Sequence, residues 1–191
     1  MPEVSRPRCW WCGSDPLYVA YHDKEWGVPV LKDQKLFELL VLEGFQAGLS
    51  WITILRKREN FRKAFHNFDP AIMAQFQSPD FARLMHDPGI VRNRLKLESA
   101  ALNAKAYLKL REEAGSFSRF LWSFTGGVTL RDPKGMTRER VRATSPESDA
   151  MSKELLRRGF KFAGSTICYA FMQASGMVDD HIEGCWKYQP R

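Results

Sequence analysis

The chain has 191 residues, of which 44% are hydrophobic and 13% aromatic, with a formal net charge of +7 at pH 7. This composition predicts a single globular domain over 1–191, or two small lobes within it, and excludes a chain that is mostly disordered. The sequence lacks both an apolar run near the roughly 20 residues of a membrane span and a signal peptide, so we expect a cytoplasmic protein without a membrane anchor.

The N-terminal segment combines two cysteines with clustered aromatic residues. Cys9 and Cys12 form a CxxC pair, which is followed by Trp11, Tyr18, Tyr21, His22 and Trp26. Aromatic residues at this density are typical of a core, but the stacking walls that hold a flipped base require the same residue types. Both interpretations stay open here, and the positive charge of the chain favours a polyanionic partner.

Two helices are predicted on either side of a short junction. Asp33 is predicted as the N-cap of a helix that ends near Gly44, and a second helix begins at Ser50 with Trp51 on its inner side. The junction places Glu43 directly after apolar residues. A carboxylate buried there is costly unless paired, which makes Glu43 a site candidate; a helix-terminal glutamate in solvent is the alternative.

The rest of the chain predicts further helices without strand alternation, so the fold class is all-α and the usual nucleotide-cofactor folds are excluded. Pro70 and Pro79 fit first-turn positions of two short helices. Residues 126–142 lose periodicity and predict an irregular or mobile loop. The other predicted helices cover 92–113, 117–124, 146–158 and a segment that starts at Ser165 or Thr166.

The turn between the last two predicted helices resembles a helix-hairpin-helix. Gly159 and Gly164 at its ends would allow backbone N–H groups to approach a phosphate closely. Lys161, in the same turn, adds positive charge suited to holding duplex DNA without reading its sequence. The alternative is an ordinary tight turn beside a solvated basic face.

Two other basic clusters have weaker signals. Arg92, Arg94 and Lys96 follow a Gly89-Ile90 turn, where they could hold a second phosphate or form the exposed face of the long helix. The run 56–58 is predicted as a solvated helix face, which is the usual behaviour of charge runs.

Two cysteine–histidine pairs, one near each end of the chain, form a candidate Cys2His2 metal set: Cys9, His22, His181 and Cys185. Thiolate and neutral imidazole are the ligands that zinc prefers, and four of them close a structural site. Unrelated residues are the alternative, since neither spacing is that of a strict zinc finger. Cys12 could ligate in place of Cys9 or beside it, whereas Cys168 lies on an apolar helical face and is predicted as core.

Taken together, the motifs resemble those of the DNA-3-methyladenine glycosylase I family of helix-hairpin-helix glycosylases. The resemblance covers nearly the whole chain, and its motifs are long and occur in the family's order. They are residues 15–18, 21–23, 25–29, 42–51, 57–60, 158–164 and 180–181.

The resemblance implies a helix-hairpin-helix DNA glycosylase fold and excision of 3-methyladenine from duplex DNA by hydrolysis of its N-glycosidic bond. It assigns one structural zinc ion to Cys9, His22, His181 and Cys185, which would join the two chain ends and leaves Cys12 out. The family's base-binding residues correspond to Glu43, Tyr21 and Trp51, with Trp11 and Tyr18 completing the walls. No nucleotide cofactor is implied, and one small domain needs no second copy, so we expect a monomer.

Three residues carry more specific hypotheses. Leu49 is interpreted as a wedge that fills the gap left by a flipped base. Asp179 is either a general base or electrostatic catalyst, or else a helix cap or partner of His181. Phe45, where a polar residue is expected, could alter the surroundings of the pocket.

Two rival functions remain on sequence alone. A non-catalytic, zinc-stabilised DNA-binding module would need the hairpin and the basic faces but not Glu43 with its aromatic neighbours. A hydrolase of free nucleosides would leave the hairpin and the positive charge unexplained.

Overall fold

A computed structural model describes residues 6–189, so the two termini of the predicted 1–191 domain lie outside the described residues. Helices dominate, and the described residues contain no strand beyond an isolated bridge between Leu130 and Val178. The predicted all-α class is confirmed. The helices are α1 (Pro16–Lys24), α2 (Asp33–Gln46), α3 (Trp51–Ala64), α4 (Pro70–Met73), α5 (Ser78–Met85), α6 (Arg94–Ala114), α7 (Phe117–Trp122), α8 (Pro146–Arg157) and α9 (Ser165–Ala174).

Helix α2 forms the centre of the molecule. Every residue from Leu36 to Phe45 is buried, because α3, α6, α7 and α9 all pack against this helix. A helix that is buried on all faces belongs to the core rather than to an amphipathic surface. Glu43 lies within this buried stretch, so the prediction of a buried carboxylate at this position is confirmed.

The predicted N-cap role of Asp33 is wrong. Lys32 is the N-cap of α2, and Asp33 is its first residue. The Asp33 carboxylate instead accepts hydrogen bonds from the backbone N–H groups of Phe117 (3.0 Å) and Ser118 (2.8 Å) at the start of α7. An acidic side chain there satisfies helix N–H groups that have no partner within their own helix, so Asp33 joins α2 to α7.

Other predicted helix boundaries agree with the structure. Pro70 and Pro79 occupy first-turn positions of α4 and α5, and Ser50 is the N-cap residue of α3. The long helix α6 begins at Arg94, because the side chain of Asn93 caps it through the backbone N–H of Lys96. Arg92 therefore lies before the helix, in the preceding turn.

The 126–142 segment is irregular, as predicted, but it is anchored. Leu130 exchanges backbone hydrogen bonds with the C-terminal segment, donating to Met177 and accepting from Asp179. The buried Met136 accepts a backbone hydrogen bond from Glu183. These contacts attach the segment to the stretch that follows α9.

Helices α8 and α9 form the predicted hairpin. Gly159 and Phe162 have positive φ angles of +93° and +51°, which bend the chain sharply between the helices. Asn103 of α6 accepts a hydrogen bond from the Lys161 N–H and donates one to the Lys161 carbonyl. A Cβ at Gly44 would lie 3.2 Å from Phe162, so α2 approaches the turn closely. The hairpin turn is thus hydrogen-bonded to α6 and packed closely against α2.

No helix in the described part of the chain is both long enough and apolar enough to cross a membrane.

Candidate functional site

A cavity of about 250 Å³ opens between the N-terminal segment, α1, α2, α3 and α9. Half of its lining residues are aromatic and four are polar, which is typical of a small-molecule site. All five residues predicted for base binding line it: Trp11, Tyr18, Tyr21, Glu43 and Trp51. Residues that are distant in the sequence therefore line one cavity.

Two polar atoms in the cavity wall lack partners within the described residues. Glu43 Oε2 and Trp51 Nε1 are both buried without a hydrogen bond. Burial raises the pKa of the Glu43 carboxyl to about 8. An unsatisfied buried polar group lowers the stability of a fold, so such groups need a reason such as a ligand that completes their hydrogen bonds.

The aromatic rings form a continuous layer beside Glu43. The rings of Tyr21 and Trp51 lie 5.6 Å apart between centroids, and those of Trp11 and Tyr18 lie 5.1 Å apart. Burial raises the pKa of the Tyr21 hydroxyl well above its ordinary range, and nearby Glu43 raises it further. Tyr21 is therefore neutral, and its ring can act as a stacking surface.

Sequence reasoning missed several residues of the cavity wall. Gln46 lies one helical turn after Glu43, so helical spacing alone could have identified it. Trp10 is the sequence neighbour of Trp11, and Trp26 belongs to the N-terminal aromatic cluster for which both interpretations were open. The others come from distant segments and had no local signal: Val141, Ala170, Gln173 and Asp180. Phe45 does not line the cavity. It packs in the core against Phe61 (4.7 Å between ring centroids), because it lies on another face of α2.

The junction between α2 and α3 is held by Lys96. Its ammonium donates hydrogen bonds to the carbonyls of Phe45 (2.9 Å) and Ala47 (2.6 Å). Both interpretations of Lys96, as phosphate contact and as exposed helix face, are therefore wrong; the side chain is buried and satisfies carbonyls at the end of α2. Leu49, in the same junction, remains 42% exposed.

Asp180 is a second buried carboxylate in the cavity wall. Its Oδ2 accepts hydrogen bonds from the Tyr169 hydroxyl (2.7 Å) and from Gln173 Nε2 (2.8 Å). Burial raises the pKa of this carboxyl, while the two hydrogen bonds oppose that rise. Asp179, which was predicted as a possible catalyst, does not line the cavity.

Three of the four predicted metal ligands form one buried group. The ligand atoms of Cys9, His22 and Cys185 all lie within 4.8 Å of one another, so this group could hold a metal ion. Burial lowers the pKa of His22, which favours the neutral imidazole that metals bind, and raises the pKa of the Cys9 thiol to about 12. A cation would be needed to ionise that thiol.

His181 lies beside this group but outside the three-residue set. Its ring centroid is 5.1 Å from that of His22, and its Nε2 is buried without a partner among the described residues. Gly27 gives it room, since a Cβ there would lie 2.8 Å from the His181 ring. An unpartnered nitrogen next to two thiols and an imidazole has the donor chemistry of a fourth zinc ligand.

Each histidine also contacts a carboxylate. His22 Nδ1 lies 2.8 Å from Asp23, and His181 Nδ1 lies 2.7 Å from Asp179. The carboxylates are in turn paired with arginines, Asp23 with Arg8 and Asp179 with Arg131. Such contacts favour the tautomer in which Nε2 carries a lone pair that can bind a metal. In His22 that atom lies 3.4 Å from both the Cys9 backbone nitrogen and Cys185 Sγ.

The remaining two cysteines are not members of the three-residue group, although Cys12 lies next to it. Cys12 Sγ is 3.2 Å from the carbonyl of Cys9 and is not in the group. Cys168 is buried in α9 beside the carbonyl of Ala163, as expected for a core residue.

The candidate DNA-binding side chains differ in whether they form ion pairs with acidic residues. Lys161 is exposed in the hairpin turn and Arg92 is exposed before α6, whereas Arg94 pairs with Glu98 at 2.5 Å. Within 56–58, the prediction of a solvated face is wrong for Arg58, which is partly buried and forms two hydrogen bonds with Glu25.

Comparison with known proteins gives consistent matches over nearly the whole chain. The family model described as methyladenine glycosylase matches residues 11–188. The chain is 50% identical over 181 residues to DNA-3-methyladenine glycosylase 1 of Escherichia coli K12, covering 95% of this chain and 96% of that protein.

Two solved structures have the same fold. A crystal structure of 3-methyladenine DNA glycosylase I has a TM-score of 0.92 and 49% identity, covering 95% of this chain and all of that one. A Tyr→Phe variant of a 3-methyladenine DNA glycosylase I, solved in complex with 3-methyladenine, has a TM-score of 0.91 and 38% identity, covering 96% and 99%.

Proposed function

Because the chain belongs to the methyladenine glycosylase family, we propose that it is a monofunctional DNA-3-methyladenine glycosylase. It hydrolyses the N-glycosidic bond of 3-methyladenine in alkylated duplex DNA, releases the free base and leaves an abasic site for base excision repair. The observation that carries this proposal is the pair of unpartnered polar atoms, Glu43 Oε2 and Trp51 Nε1, buried in the wall of an aromatic cavity.

The cavity recognises the lesion by charge as well as by shape. A methyl group at N3 leaves adenine positively charged while it is still joined to the sugar, and the π-faces of Tyr21 and Trp51 attract a cationic ring. Glu43 accepts a hydrogen bond from the exocyclic amine of the base, and its negative charge is stabilised by the same cation. Trp11 and Tyr18 complete the walls. Unmodified adenine lacks the charge and gains none of this attraction.

The reaction needs little acid catalysis. When the bond between the anomeric carbon and the base nitrogen breaks, its electron pair neutralises the cationic base, which leaves as free 3-methyladenine. The sugar becomes oxocarbenium-like, a water oxygen bonds to its anomeric carbon, and the surplus water proton passes to solvent. Interactions that strengthen as charge moves from the base to the sugar lower the barrier.

The enzyme must extrude the base from the duplex before it can react. We assign the wedge to Leu49, which is exposed on a junction held by Lys96. Gly159, Lys161 and Gly164 would hold a backbone phosphate at the hairpin, with Arg92 and Arg94 as a second contact. If Leu49→Ala leaves both DNA affinity and excision unchanged, the wedge assignment fails.

One zinc ion is assigned to Cys9, His22, His181 and Cys185, where four protein ligands make its role structural. The unpartnered Nε2 of His181 and the buried thiols support this set. Asp179 orients His181 rather than acting on the substrate, since its oxygens contact His181 and Arg131. We propose that the protein works as a monomer in the cytoplasm.

The deciding experiment measures release of free 3-methyladenine from methylated duplex DNA by wild type and Glu43→Gln. We expect release by wild type and its collapse in the variant. No release by folded, zinc-loaded wild type would favour the non-catalytic DNA-binding module. Release from methylated nucleosides but not from duplex DNA would favour the nucleoside hydrolase.

A further inference from the structure

Buried carboxylates in this protein differ in whether they have a cationic partner. Among the described residues, four Asp or Glu side chains are buried: Glu38, Glu43, Asp179 and Asp180. Glu38 pairs with Arg62 at 2.7 Å and Asp179 with Arg131 at 3.0 Å. No ion pair within 4.0 Å is found for Glu43 or Asp180 in the described part of the chain. A buried carboxylate without a cation is costly, so these two need a reason.

Both unpaired carboxylates line the same cavity. The cavity receives a substrate on which a single positive charge changes place during the reaction, from the base to the sugar. Glu43 lies close enough to Tyr18 and Tyr21 for its charge to raise the pKa of both hydroxyls, and the proposed function places the base against these rings. The second carboxylate, Asp180, is therefore available for the positive charge that develops on the sugar.

The position of Asp180 fits that role. A groove adjoins the cavity, and its lining carries three basic side chains, Arg131, Lys134 and Arg142, and three acidic ones, Asp132, Glu147 and Asp180. Arg131 pairs with Asp179 and Arg142 with Asp132, so Lys134 is the basic side chain of the groove that forms no ion pair within the described residues. Asp180 is the one residue that lines both the groove and the cavity in the described structure. A nucleotide with its base against Trp51 and a phosphate beside the exposed Lys134 would place its sugar at this junction.

The local hydrogen bonds leave one oxygen of Asp180 available. Tyr169 and Gln173 both donate to Oδ2, whereas Oδ1 receives no hydrogen bond from the described residues. Two fixed donors on one oxygen lock the orientation of the carboxylate before substrate binds. Such preorganisation is what electrostatic stabilisation of a transition state requires.

We propose that Asp180 is a catalytic residue whose Oδ1 contacts the reacting sugar, stabilises its positive charge and positions the attacking water. This inference rests on the proposed glycosylase function. As the bond between the anomeric carbon and the base nitrogen breaks, its electron pair leaves with the base and the sugar gains the charge. The water oxygen then bonds to the anomeric carbon, and the water proton is released to solvent. Tyr169 and Gln173 are positioning residues, since they act through Asp180.

The first test compares single-turnover excision by wild type, Asp180→Asn and Glu112→Gln on methylated duplex DNA. Glu112 is a control carboxylate, because it is exposed on α6 and lines neither the cavity nor the groove. We expect Asp180→Asn to lower the rate by about 100-fold or more, since loss of one preorganised group typically costs that much. Glu112→Gln should stay within about twofold. No release by wild type would overturn the proposed function itself, whereas equal rates for wild type and Asp180→Asn would overturn this inference alone.

A second test separates catalysis from folding and needs no turnover. Duplexes carrying a cationic pyrrolidine or a neutral tetrahydrofuran abasic analogue are compared for affinity. Wild type should prefer the cationic analogue, and Asp180→Asn should lose that preference while it still binds the neutral one. An undiminished preference for the cationic analogue in Asp180→Asn would contradict the proposal.

A third variant tests the positioning role of Tyr169. Tyr169→Phe, which keeps the Asp180 carboxylate but removes one of its hydrogen-bond donors, should lower the excision rate by about tenfold with metal content unchanged.

Discussion

The metal group and the base cavity differ in how their polar atoms are partnered. Around Cys9, His22 and Cys185, each histidine contacts a carboxylate and each carboxylate contacts an arginine. The atom without a partner there is His181 Nε2, which a metal ion would complete. In the cavity, Glu43 and Trp51 each have a buried atom without a partner, and these atoms face the space for a substrate.

The metal group is therefore expected to stabilise the fold, whereas the polar atoms of the empty cavity lower its stability. The metal group is complete once a cation occupies it, so its binding energy is folding energy. The cavity is complete only with a substrate, and until then its polar atoms are costly. Mutations in the two regions should therefore have opposite effects on stability.

The largest expected effect is that of removing the proposed zinc ion. Cys185→Ser, or treatment with a strong chelator, should lower stability by about 5 kcal/mol or more, because structural zinc contributes at least that much in small domains. For a chain of this size, that loss lowers the Tm by about 10–20 °C. Cys12→Ser is the matched control, since Cys12 lies outside the metal group. An unchanged Tm in the metal-free protein, measured by calorimetry, would contradict a structural role.

Glu43→Gln should act in opposite directions on activity and stability. Excision should fall by about 100-fold or more, since a neutral amide cannot balance a cationic base. The folded-state pKa of about 8 lies above the ordinary value of 4.5, so the folded chain holds a proton that the unfolded chain releases. Wild type therefore loses stability as the pH rises from about 4.5 to about 8, at up to about 1.4 kcal/mol per pH unit.

The variant avoids this loss, because glutamine does not titrate. We expect its Tm to match that of wild type near pH 4.5 and to exceed it increasingly up to pH 8. Thermal unfolding at several pH values measures the difference. A variant less stable than wild type at pH 8 would mean that Glu43 is paired in a way the structure does not show.

Asp179→Asn sharpens the comparison at the metal group. Loss of the carboxylate that orients His181 should weaken metal binding by about 10- to 100-fold. Competition with a chelator of known affinity measures this change. The metal-loaded variant should excise 3-methyladenine as fast as wild type; slower excision at full metal occupancy would restore the catalytic interpretation of Asp179.

The smallest expected effect is the change in kcat/KM for excision over a single pH unit. If only ionised Glu43 recognises the cationic base, kcat/KM should rise about tenfold per unit below about pH 8 and level off above it. Glu43→Gln, assayed for its residual activity, should lack this rise. A wild-type profile that is flat between pH 6 and 8 would separate recognition from the charge of Glu43.

Sequence reasoning found the features that depend on local pattern. The apolar residues before Glu43 predict a helix, and its burial follows from that helix being central. The hairpin glycines, the helix-starting prolines and the cysteine–histidine pairs are also visible in the sequence.

Sequence reasoning failed where a side chain acts on a distant backbone. Asp33 looks like a cap for its own helix, yet its partners lie more than 80 residues away in α7. Lys96 looks like a surface cation, yet it binds carbonyls about 50 residues earlier. The sequence does not show that Asp180 has no ion-pair partner within the described residues, or that it lies where the cavity meets the groove. Such roles depend on tertiary packing, which periodicity and capping rules do not contain.

Three tryptophans of the cavity wall, Trp11, Trp26 and Trp51, make intrinsic fluorescence a useful probe of this protein. Trp11 lies 5.3 Å from the His22 ring, Trp26 lies 4.6 Å from the His181 ring, and both also line the cavity with Trp51. The intrinsic fluorescence of these indoles should therefore change when the proposed metal binds beside the histidines and when a purine enters the cavity. A single unlabelled titration can follow both events, and any energetic coupling between them would be read directly from how one changes the midpoint of the other.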